Sequence, residues 1–174
     1  MNSILRRFGK GTTEQFQRTP SPWDMAEKAY NDISTPKISL RALKAASLLE
    51  PLTCTSCNEK GYALLRYADY LGVAARFGLS DGLTESKVLE LQKREMQACE
   101  EASSHSDASI RQSALYHLCI AAGTYGDRER AERAYHEAIQ APYLHLSEGD
   151  LARMRRSASL KGNGAMSPEM QAEL

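Results

Sequence analysis

Valine occurs only twice in this chain, at Val73 and Val88, while alanine, leucine, glutamate, lysine, arginine and glutamine are plentiful. β-Branched residues favour strands, whereas alanine and straight-chain residues favour helices. No stretch shows a sustained apolar–polar alternation of period two. The sequence therefore predicts an all-α fold. Its 174 residues suit one domain with a real core and no need of disulfide staples.

Local signals divide the chain into helices. Ser21-Pro22 supplies an N-cap followed by proline at the first helical position, and Trp23, Ala26, Ala29, Tyr30 and Ile33 follow at helical spacing. A second helix is expected from about Pro36 to Glu50, ended by Pro51. The stretch from Glu59 to Phe77 is apolar or aromatic most of the way round, which marks a central helix packed on more than one side. Further helices are expected over Thr84–Ala102, with Val88, Leu91, Glu95, Cys99 and Ala102 on one stripe, and over Ala108–Ala122, Arg128–Ala141 and Ser147–Leu160. Residues 21–160 then form one helical domain, with 1–20 a basic arm and 161–174 a polar tail, both expected to be mobile.

The segment from Ala114 to Pro142 carries the sharpest pattern. Leu115, Leu118, Cys119 and Ala122 lie on its first helix, Gly126 falls at the turn, and Ala131, Tyr135 and Ala138 follow on the second before Pro142 closes the unit. Alanines at 131 and 138 let the two helices approach, Tyr135 fills the space between hairpins, and Gly126 permits the reversal. In spacing this segment resembles one tetratricopeptide repeat. It departs from that family where Leu115 stands for the usual tryptophan, Cys119 for glycine and Ala122 for tyrosine. Weaker echoes lie upstream, among them Ala42, Ala46 and Leu49.

The resemblance implies a right-handed superhelix of about three antiparallel hairpins with a C-terminal capping helix. It also implies a concave groove, lined by first helices, that receives a peptide or helix of another protein. Groove candidates are Tyr62, Arg66, Asp69, Tyr70, Tyr116, His117 and Ile120. An adaptor, chaperone-like protein or assembly subunit is expected, with no enzyme activity and no cofactor.

The competing reading centres on Cys54-Thr55-Ser56-Cys57. A CxxC turn at a helix start can hold zinc or form a redox dithiol. Cys54 and Cys57 would need two further ligands, and no second CxxC or HxxxH occurs. A thioredoxin-like role would want a βαβ context, which is missing. His105, His117, His136 and His145 form no i,i+4 pair. Phe8–Thr13 lacks the spacing of a phosphate loop. Arg153–Arg156 followed by Ser159 matches a basic-directed phosphorylation pattern, a short motif that arises often by chance.

Balanced charge, +0 overall, argues against a nucleic-acid partner. No apolar run approaches the length of a membrane span. A cytoplasmic location is expected, or a mitochondrion or other organelle if Arg6, Arg7 and Lys10 belong to a targeting segment.

Overall fold

The computed structural model describes residues 20–54, 59–141 and 145–159. Among them run seven helices and no strand: α1 (Pro22–Tyr30), α2 (Ile38–Thr53), α3 (Lys60–Gly78), α4 (Glu85–Ser103), α5 (Ala108–Thr124), α6 (Arg128–Ile139) and α7 (Glu148–Ser159). No described helix is long and apolar enough to cross a membrane. The basic arm before Pro20 and the tail beyond Ser159 lie outside the described residues.

Helix starts follow capping chemistry. Ser21 and Asp24 form a reciprocal capping box. Thr84 Oγ1 accepts from the Lys87 amide at 3.2 Å, and Asp107 and Asp127 cap α5 and α6. The stops differ from the sequence expectation in two places. Helix α1 ends at Tyr30, and Ile33 is 88 % exposed, because the Asp32 carboxylate accepts from both the amide and the hydroxyl of Ser34 and turns the chain. Helix α2 continues through Pro51 to Thr53. A proline in the last turn forfeits only its own backbone bond there, and the Thr53 hydroxyl donates to the Glu50 carbonyl at 2.7 Å.

Each helix packs on the next in sequence; α3 also touches α5, and α5 touches α7. Helix α3 thus contacts α2, α4 and α5, as expected of a helix apolar on several faces. The interfaces are built on fully buried alanines, including Ala42, Ala45, Ala63, Ala74, Ala114, Ala122, Ala131 and Ala138. Leu49, Leu71, Leu91, Ile110 and Met154 fill the volume between them. Two reversals use glycine in the left-handed region. At Gly126 (φ +84°) the Asp127 amide donates to the Ala122 carbonyl and the Gly126 amide to the Gly123 carbonyl; at Gly82 (φ +90°) the Leu83 amide donates to the Gly78 carbonyl and the Gly82 amide to the Leu79 carbonyl.

The second of these turns also caps a distant helix. Lys37 gives α2 no side-chain cap. Instead the Asp81 carboxylate accepts from the Ser39 amide at 2.7 Å, and Lys37 Nζ donates to the Asp81 carbonyl at 2.6 Å. Hydrogen bonding from Ser39 holds the Asp81 carboxyl below its ordinary range. Asp81→Ala should lower the thermal midpoint by roughly 2–6 °C, read by circular dichroism. An unchanged midpoint would show that water replaces the cap.

Candidate functional site

Three helices converge on one cleft of about 230 Å³. Asp69 and Arg76 come from α3, Glu95 from α4, and Tyr116, His117, Ile120, Ala121 and Thr124 from α5, with Tyr125 at its C-cap. Spacings of three, four and seven residues place each set along one helix face.

Glu95 belongs to the buried stripe of α4 that includes Leu91, Cys99 and Ala102, and it is only 8 % exposed. Its carboxylate fits because the facing residue on α3 is glycine. A Cβ at Gly72 would lie 2.7 Å from Glu95 Cδ, far inside contact distance. The Tyr125 hydroxyl donates to Glu95 Oε2. Burial pushes the Glu95 carboxyl up to about 7, against the opposing pull of the Tyr125 hydrogen bond and the Arg76 charge. Burial and the neighbouring Glu95 also raise the Tyr125 phenol, and burial raises the Cys99 thiol one turn along.

At the rim, His117 Nδ1 lies 3.2 Å from Asp69 Oδ1, and Arg66 Nη1 lies 3.7 Å from Asp69 Oδ2. The Tyr116 hydroxyl engages Arg153 of α7, which raises the pKa of that arginine.

Of the groove residues expected from the sequence, Asp69, Tyr116, His117 and Ile120 line this cleft. Arg66 stands beside it through Asp69. Tyr62 is 53 % exposed at the start of α3, apart from the cleft. Tyr70 is 5 % exposed and packs on Tyr30 with ring centroids 5.2 Å apart, the Arg66 guanidinium lying over its ring at 5.6 Å. Arg76, Glu95, Thr124 and Tyr125 complete the cleft, and sequence reasoning did not assign them to a site. One signal was available: a glutamate one helical turn from both Leu91 and Cys99 lies on the stripe that they bury.

The positions that carry the repeat resemblance are mostly internal. Leu115, Leu118, Ala131 and Ala138 are buried, Gly126 makes the turn, and half-buried Tyr135 accepts from Arg155 Nε at 3.3 Å. Pro142 lies outside the described residues. Cys54 is exposed at the end of α2, and Cys57 lies outside the described residues. No group of three or more metal-ligating side chains occurs among the described residues. Cys119 is buried, donates to the Met154 carbonyl at 3.4 Å, and has its thiol pushed up to about 12 by burial.

The arrangement offers a small polar recess with a buried carboxylate as its floor and an Asp–His pair at its edge. Comparison with protein-family models, with curated proteins and with solved structures returns no match for this chain.

Proposed function

We propose that this protein is a binding module of the tetratricopeptide type, which takes a short segment of another protein against the face formed by α3 and α5. An adaptor, chaperone-like or assembly role follows from that activity. The observation that carries the reading is the convergence of Asp69, Tyr116, His117 and Ile120 on one cleft. Those residues come from separate helices and were singled out as positions on first helices of hairpins. Two features support the hairpin description. Odd-numbered helices α3, α5 and α7 touch one another in succession while each also packs on its sequence neighbours. The α5–α6 reversal at Gly126 leads directly into a helix whose buried face is Ala131, Ala134 and Ala138.

Selection from a displayed peptide library, followed by photo-crosslinking, tests the reading. A crosslinker at Ile120 should capture the selected peptides, and one at the exposed Leu89 of α4 should not. Asp69→Arg should weaken the same peptides by roughly tenfold or more, in the range of about 1–3 kcal/mol for a contact at the centre of an interface. Cys54→Ser should leave them unchanged. Equal capture at both positions, or no selectable peptide, would remove the groove as the site of action.

A further inference from the structure

We infer that the cleft receives a basic side chain of the bound partner, a guanidinium or ammonium group that donates hydrogen bonds to Glu95 and Asp69. This rests on the peptide-binding reading above and specifies the chemistry of the residue that enters.

The first argument is the hydrogen-bond inventory of the cleft. Thr124 Oγ1 spends its proton on the Ile120 carbonyl at 2.8 Å. The Tyr125 hydroxyl spends its proton on Glu95. Both hydroxyls are left with lone pairs only, so each can act there solely as an acceptor. Glu95 is more than nine-tenths buried, and among the described residues its carboxylate receives only the Tyr125 donor. Asp69 has His117 on one oxygen and only a distant Arg66 on the other. The recess therefore holds a surplus of acceptors. A guanidinium carries five N–H donors and no acceptor in a planar fork, and an ammonium carries three donors. Tyr116 and Tyr125 also line the cleft, and aromatic rings attract a cation. The cleft volume suits one long side chain, whereas a whole helix is ~10 Å across.

The second argument concerns the cations already present. The groups facing Glu95 are Asp69 and Arg76 from α3, and His117, Tyr116 and Tyr125 from α5, with Cys99 one turn along α4. Arg76 lines the cleft as an exposed residue and forms no ion pair with a described carboxylate. Its charge lowers the cost of ionising Glu95, but no hydrogen bond or ion pair joins the two side chains. His117 turns Nδ1 toward Asp69 rather than toward Glu95. Neither supplies the donor that the floor lacks, and Arg76 competes with an incoming cation by charge alone.

Titration of the full chain with N-acetyl-arginine methylamide, followed by backbone amide NMR at pH 6 and pH 8, tests the inference. The uncharged citrulline analogue serves as the control of equal shape. The arginine compound should give saturable shifts at Gly72, Ala121 and Thr124, and the citrulline compound little response. Affinity should rise about tenfold from pH 6 to pH 8, because binding draws on the ionised form of a carboxyl that titrates at about 7. Glu95→Gln should abolish the arginine response, Arg76→Gln should strengthen it at pH 8, and His117→Gln should keep its rise with pH. An equal citrulline response, an unchanged Glu95→Gln titration, or preferential uptake of acetate would overturn the basic-ligand assignment. Library peptides that crosslink at Ile120 yet contain no basic residue would overturn it while leaving peptide binding intact. A positive arginine titration with no selectable peptide would do the reverse.

Discussion

Glu95→Gln should make the protein more stable at pH 8 and remove most of the loss of stability that the native chain suffers between pH 5 and pH 8. A carboxyl with an ordinary value near 4.5 sits at about 7 in the fold, chiefly because burial disfavours its charged form. The folded state therefore binds the proton more tightly than the unfolded chain. The resulting stabilisation is fully present below pH 4.5 and disappears as pH rises through 7. A shift of that size corresponds to about 3 kcal/mol across the window, a large part of the ~5–15 kcal/mol that holds a domain together. Glutamine keeps the shape, stays neutral at every pH and still accepts from the Tyr125 hydroxyl. Urea unfolding at half-unit steps from pH 5 to pH 8 should give a falling curve for the native chain and a nearly flat one for the variant. Parallel slopes would mean that Glu95 is ionised at little cost. The acid limb should be unaffected by the substitution. There Asp32, Asp81, Asp107 and Asp150, held below their usual range by hydrogen bonds from neighbouring amides and hydroxyls, lose their contribution as they are protonated.

The contrast between Asp81 and Ser21 shows what a sequence makes legible. Ser21-Pro22 caps its own helix within three residues, so the signal is local and readable. Asp81 caps α2 from 42 residues away, and nothing near Ser39 in the chain announces it. The same division runs through the core. The order of the helices, the central place of α3 and the inward stripe of α4 all follow from periodicity and composition. The ends of α1 and α2 were decided by an Asp32–Ser34 turn and by a tolerated Pro51, two local effects that periodicity does not weigh. In the cleft, Asp69 and His117 were accessible as groove positions on the first helices of the expected hairpins. Glu95 was visible on a buried stripe, but its meaning depends on register. Only when α4 is laid against α3 does the missing Cβ of Gly72 appear opposite its carboxylate. Tyr70 illustrates the converse. Its aromatic character suits a groove, yet Tyr30 of α1 covers it.

Gly123→Ala should destabilise the protein, which is the reverse of the usual effect. In a helix interior alanine is favoured over glycine by about 1 kcal/mol, through the smaller entropy lost by its backbone. At Gly123, however, α7 crosses α5 in direct backbone contact. A Cβ there would meet the Ser157 carbonyl oxygen at 2.7 Å, its Cβ at 2.8 Å and its carbonyl carbon at 3.0 Å. These are not the flexible ends of side chains, so α7 itself must move. Its displacement would strain the Cys119–Met154 hydrogen bond and open the site where Met154 is completely buried. Overpacking of this kind costs about 1–3 kcal/mol, enough to outweigh the propensity gain. Gly149→Ala is the matched comparison, because its Cβ would find only Ser147 Oγ at 3.6 Å, an ordinary contact. That variant should be neutral or slightly stabilising. Chemical unfolding gives the two signs, and trypsin gives their location, since a loosened α7 exposes Arg153, Arg155 and Arg156 to cleavage while α3 and α4 stay protected. A Gly123→Ala protein as stable and as resistant as the native chain would mean that α7 rests on α5 loosely enough to yield.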